Sequence, residues 1–104
     1  MKHTPGPLEY EGGNIYDADG FGIADIHEMA VKKNWDSLGL RHWSEKPGIG
    51  YRELSEEEAD ANGLLFAAAP ELLEALKDVY ALALPLENHP AMKAAKAAIA
   101  KATT

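Results

Sequence analysis

Cysteine is absent from the 104 residues, which excludes disulfides, thiolate nucleophiles and cysteine-ligated zinc together, and fits a reducing compartment. No run of about 18 apolar residues occurs, so no membrane-spanning helix is expected. The opening Met1-Lys2-His3-Thr4-Pro5-Gly6-Pro7 lacks the apolar stretch of a signal peptide. The cytoplasm is the expected location. Basic residues are scarce: ten Lys and Arg face 17 Asp and Glu, for a net charge of −7. Proteins that grip duplex nucleic acid gain affinity by neutralising phosphates with Lys and Arg, so this balance argues against that partner. Catalytic signatures are missing as well. There is no Gly-x-Ser-x-Gly elbow and no phosphate-binding Gly-Lys-Ser loop. The four histidines, His3, His27, His42 and His89, form no pair at metal-ligand spacing. No catalytic residue, metal or cofactor is therefore expected, and the chain is not expected to be an enzyme. The remaining enzymatic alternative works through carboxylates or histidines alone.

What is present makes one domain over residues 1–104, with an α+β pattern. Pro5-Gly6-Pro7 delivers the chain extended. Leu8-Glu9-Tyr10, Ile15-Tyr16 and Phe21-Gly22-Ile23-Ala24-Asp25-Ile26 are short apolar runs separated by Gly12-Gly13 and Asp19-Gly20, both turn signals. They predict a three-stranded antiparallel meander over about residues 8–29. Residues 30–54 are broken by Asn34, Ser37, Gly39, Pro47, Gly48 and Gly50 and read as a long loop, in which Ile49-Gly50-Tyr51-Arg52 offers a fourth strand. So long a loop in a small domain is uncommon and often functional.

The second half is helical. Ser55-Glu56-Glu57-Glu58 reads as a capping box, with the Ser55 hydroxyl on the amide of Glu58 and the Glu58 carboxylate reaching back. Pro70 disfavours helical geometry at Ala69, which predicts one helix over about 55–69 and a second over about 70–84. The second carries an apolar stripe of Leu72, Leu73, Leu76, Val79, Tyr80 and Ala83. A third helix, about 90–102, is mostly alanine, which favours helix but offers little area to bury. Stripe and alanine face together exceed what a three-stranded sheet can cover, so a homo-oligomer built through the helices is expected.

Two stretches carry a resemblance. His3-Thr4-Pro5-Gly6-Pro7 resembles the opening of many short phage and prophage proteins. The run from Ala59-Asp60-Ala61-Asn62 through Ala67-Ala68-Ala69-Pro70-Glu71-Leu72-Leu73-Glu74-Ala75-Leu76 resembles their shared helical signature. Asp17-Ala18-Asp19-Gly20 and Ile23-Ala24 match their hairpin. Residues 30–54 are unmatched. The chain departs from the group at Leu8, where Trp is usual, and at Gly63-Leu64, where Ala-Arg is common, so any role of that arginine is absent. The resemblance implies a phage origin and a fold more than an activity.

Charge is unevenly spread. Residues 31–54 carry Lys32, Lys33, Arg41, Lys46 and Arg52 against Asp36, Glu45 and Glu53, while both flanks are acidic. Within this centre Trp35, Arg41, His42, Trp43, Lys46, Tyr51 and Arg52 interleave rings with cations, the composition of a site for a small anionic ligand with a flat ring. The competing reading has the two Trp rings closing a core under the loop, with the cations solvated. Asn62 reads as a helix residue bonded to a neighbouring strand or helix end. Asp17, Asp19 and Asp25 read as turn chemistry rather than a calcium loop. The function expected first is a small oligomeric binding protein that sequesters a host nucleotide-like signal used in antiphage defence. The alternative is an acidic inhibitor or adaptor acting on a host protein.

Overall fold

The computed structural model describes residues 2–103. Three short strands, β1 (Glu9–Glu11), β2 (Asn14–Tyr16) and β3 (Gly22–Asp25), form an antiparallel sheet in sequence order. Asp17 builds the second turn: its carboxylate accepts from the amides of Asp19 at 3.0 Å and Phe21 at 2.9 Å, while Gly20 takes a φ of 86°. That left-handed geometry is what the Asp-Gly pair predicts. Ile15, at the centre of β2, is the most deeply buried apolar residue. The α+β class and the N-terminal meander are as the sequence implies.

Residues 30–54 are more ordered than a loop. β4 (Met29–Val31) pairs antiparallel with β5 (Tyr51–Glu53) in a second, two-stranded sheet. Hydrogen bonds from Lys32 N to the Gly50 carbonyl and from Leu54 N to the Glu28 carbonyl, both 2.7 Å, close its two ends. The fourth strand therefore lies slightly later than Ile49–Arg52, and it joins a strand of its own rather than the meander. β4 escapes a sequence reading because Met29-Ala30-Val31 is uniformly apolar and shows no alternation, and its partner lies some twenty residues on.

The two expected helices at about 55–69 and 70–84 are one. α1 (Glu56–Leu82) runs unbroken through Pro70. An internal proline costs a helix about 3 kcal/mol. Here strong helix formers on both sides offset that cost, and the Pro70 ring is buried, with the backbone of Gly6 against it. A short 3-10 turn (Leu84–Leu86) leads to α2 (Pro90–Thr103), which folds back along α1. His89 starts α2, its Nδ1 accepting from Ala91 N at 3.0 Å. Among the described residues no helix is long and apolar enough to cross a membrane.

Half of the expected capping box forms. Ser55 Oγ accepts from Glu58 N at 3.1 Å, but the Glu58 carboxylate turns away to Arg52 on β5, with bonds of 3.0 and 3.2 Å. A bidentate guanidinium is a stronger donor than one amide, so the pair ties the small sheet to the start of α1. Arg52 holds the Glu58 carboxyl below its ordinary value of 4.5. A lowered carboxyl contributes stability that is complete above the unfolded pKa and is lost as pH falls through the folded one. Glu58→Gln should therefore lower Tm slightly at neutral pH, and the gap to wild type should close below about pH 4, as thermal melts across pH would show. A gap that persists in acid would mean that the carboxylate charge contributes nothing.

Candidate functional site

The segment between β4 and β5 is held by its backbone. Trp35 opens a 3-10 turn (Trp35–Leu38) bracketed by Asn34 at φ 62° and Gly39 at φ 78°. Trp35 N donates to the Lys32 carbonyl at 3.1 Å, and Ser37 Oγ to the Asn34 carbonyl at 2.7 Å. Leu40 is buried beneath the segment. The Glu45 carboxylate closes the next turn by accepting from Arg41 N at 2.6 Å. Lys46 closes the last, its carbonyl accepting from Ile49 N at 3.2 Å and Gly50 N at 3.1 Å.

This scaffold lines up four rings. Trp35 and His42 have centroids 5.6 Å apart, His42 and Trp43 5.0 Å, and Trp43 and Tyr51 5.5 Å in an edge-to-face arrangement. The series is continuous from the 3-10 turn to β5. Trp35, Trp43 and Tyr51 are half-buried and His42 is exposed, so the rings pack on one another and stay partly open to solvent. Ser44 places its amide at 3.3 Å and its hydroxyl at 2.7 Å from His42 Nδ1. With Nδ1 accepting, the neutral ring carries its proton on Nε2.

The cations fall into two groups. Arg41 and Lys46 adjoin the rings in the chain and make no ion pair among the described residues. Arg52 is engaged by Glu58, at 3.0 Å. Its guanidinium is thereby held charged and is less free for a ligand. Of the seven residues singled out from sequence, the four rings come together, Arg41 and Lys46 sit beside them in the chain, and Arg52 is bonded elsewhere. Lys32 and Lys33 were not singled out, yet with Tyr51 and Arg52 they line an open hollow of about 450 Å³ beside the hairpin. Their signal was only the local excess of basic residues. Gly50 was read as a breaker, but its role is close packing: it is buried, and a Cβ there would run into the Trp43 carbonyl and Leu40.

An acidic hollow lies at the start of α1. Tyr10, Glu11, Glu28, Glu56 and Asp60 line it, and its volume is about 510 Å³. There the Tyr10 hydroxyl donates to Asp60 at 2.8 Å, and the carboxylate raises the phenol above its ordinary 10.0. Asn62 is half-buried beside β4 and Phe66, and among the described residues its side chain makes no hydrogen bond to strand or helix end. Among the described residues no three His, Asp or Glu side chains gather as a metal site.

A family model described as Salmonella phage P22 protein Y8K6 matches residues 1–104. The chain belongs to this phage protein family. No curated protein and no solved structure matches it. Membership of the P22 Y8K6 family supports a phage-encoded small protein. It names no ligand.

Proposed function

We propose that this phage protein is a small binding protein whose ring series and adjacent cations take an anionic, flat-ringed ligand of the nucleotide type, sequestering a host signal used against phage. One observation carries the reading: Trp35, His42, Trp43 and Tyr51 form a continuous, partly exposed ring series, and Arg41 and Lys46, which adjoin these rings in the chain, make no ion pair among the described residues. Aromatic faces stack bases regardless of sequence, and guanidinium groups pair phosphates. The host cytoplasm is where such a ligand would be met.

The test is native mass spectrometry of the purified protein before and after incubation with a bacterial small-metabolite extract. An adduct the size of a nucleotide is expected. Trp43→Ala and Arg41→Ala should each weaken it about tenfold or more while leaving helix content unchanged, since one stacked base contributes about 1–3 kcal/mol. Folded variants that keep the adduct at full strength would overturn the site. A second reading is favoured by the acidic hollow around Glu11, Glu28, Glu56 and Asp60, which suits an inhibitor or adaptor docking a basic host protein. A ligand-free spectrum together with salt-sensitive capture of a single host protein would put that reading first.

A further inference from the structure

Helix α1 carries a second pattern beside the stripe that packs on the rest of the chain. Leu73, Leu76, Tyr80 and Ala83 are half-buried, as are Ala95 and Ile99 on α2. Leu72 and Val79 do not share that burial. They belong instead to a separate seam. Leu65, Leu72 and Val79 recur every seven residues, and Ala61, Ala68 and Ala75 recur every seven between them, with Leu82 in the next position. Alternating steps of four and three residues are the spacing of a coiled-coil seam. Every one of these positions is exposed, Leu65 by 59%, Leu72 by 53%, Val79 by 59% and Leu82 by 86%. The buried residues of α1, Ala59, Gly63 and Pro70, lie outside this seam, with Gly63 against Tyr10 of the sheet.

The size of the uncovered surface agrees. A compact monomer of 11.2 kDa exposes about 5,700 Å², whereas this chain exposes 7995 Å². Its radius of gyration is 17.9 Å, against about 13 Å for a compact chain of this length. The excess of roughly 2,300 Å² is more than twice the ~800 Å² that each partner buries in a standard interface.

We infer that this seam pairs with the same seam of a second copy, and that the two α1 helices run antiparallel. The choice of occupant follows from the pattern, which is self-complementary under a two-fold axis. In an antiparallel pair Leu65 meets the partner's Ala75, Leu72 meets the partner's Ala68 and Val79 meets the partner's Ala61. Each of these layers then holds one large and one small side chain, which fills space evenly. A parallel pair would alternate leucine-on-leucine layers with alanine-on-alanine layers and leave holes at the latter. The inference is independent of the ligand reading.

The experiment uses the full chain. Light scattering at micromolar concentration should give at least twice 11.2 kDa, and Leu72→Lys should raise the dimer Kd at least about tenfold with helix content retained. Because the chain has no cysteine, introduced thiols report on geometry directly. The double variant Leu65→Cys/Ala75→Cys should cross-link between copies with a short bifunctional thiol reagent. Leu65→Cys alone should not, because antiparallel packing sets the two sites about 15 Å apart along the axis. Cross-linking of the single variant would overturn the antiparallel arrangement. A monomeric wild type, or a dimer in which neither variant cross-links, would overturn the seam. A monomer that still binds its ligand would remove this inference alone, and a seam-paired dimer without a ligand would remove only the ligand reading.

Discussion

Gly50→Ala should open the segment between β4 and β5 while leaving both helices intact. The reason is space, not backbone freedom. A methyl group at Gly50 would overlap the Trp43 carbonyl and the Leu40 side chain, and a backbone carbonyl cannot swing aside as a side-chain tip can. Gly50 also closes the small sheet, its carbonyl accepting from Lys32 N at 2.7 Å. Moving its backbone therefore breaks a ladder end and shifts Trp43 off Tyr51. Overpacking in a tight site costs about 1–3 kcal/mol, and a backbone obstacle puts this change at the upper end, about 3 kcal/mol. The measurement is intrinsic fluorescence set beside far-UV circular dichroism. Trp35 and Trp43 are the only tryptophans, so emission should shift to the red while the helical signal at 222 nm stays. Gly48→Ala is the control. It has open space but a φ of +81°, so it should cost about 1 kcal/mol of backbone strain and leave the emission almost unchanged. Equal effects from the two would mean that the segment yields freely at Gly50. If the ring series holds the ligand, Gly50→Ala should abolish the adduct even though it removes no ring and no cation.

The contrast between these two glycines marks what a sequence discloses. Gly48 and Gly20 are legible as turn residues, because their left-handed φ is a local demand that neighbouring residues announce. Gly50 is not, because its constraint is a carbonyl seven positions away that approaches only after the loop has folded. The same division runs through the rest of the chain. Ser55 caps α1 as local chemistry dictates. Glu58 does not complete the box, because Arg52 on the adjoining strand offers a better donor. Pro70 weakens the helix locally, but burial of its ring and the surrounding propensity carry α1 through. The rings of Trp35, His42, Trp43 and Tyr51 were recognisable as one set because they lie within 17 residues of one another. Their order in space, with His42 between the two indoles, depended on turns that no periodicity encodes.

The seam on α1 shows the converse case, a regular signal hidden by a stronger one. Leu72 and Val79 belong to a broad apolar stripe when the helix is read with a 3.6-residue period, and that stripe includes the positions facing α2. Only burial divides it into an intramolecular half and an exposed half with strict heptad spacing. Pairing of this seam with a second copy, as inferred above, would take that leucine out of water.

Gly63→Ala should destabilise the protein although alanine is the better helix former. Replacing a mid-helix glycine by alanine normally stabilises by about 1 kcal/mol. Here a Cβ would overlap three atoms of the Tyr10 ring, and the ring has little freedom to leave. It sits on β1 and its hydroxyl is held by Asp60 at 2.8 Å, one turn before Gly63 on the same helix. The variant must separate α1 from the sheet or break that hydrogen bond, so the overpacking cost of about 1–3 kcal/mol outweighs the propensity gain. A net loss of up to about 2 kcal/mol is expected from denaturant melts. Tyr10→Ala supplies the discriminating background. With the ring gone the obstacle is gone, and adding Gly63→Ala should then stabilise by up to about 1 kcal/mol. That reversal of sign is the signature of close approach between ring and helix. The same destabilisation in both backgrounds would place the cause elsewhere in α1. Stabilisation in both would mean that the sheet gives way to the methyl without cost. The alkaline limb supplies an independent check on the hydroxyl. Asp60 raises the Tyr10 phenol above its ordinary 10.0, so the contribution of this bond is complete below pH 10 and is lost as pH rises through the folded value. Tyr10→Phe should flatten that loss of stability without relieving the Gly63→Ala defect, because phenylalanine keeps the ring atoms that the methyl meets.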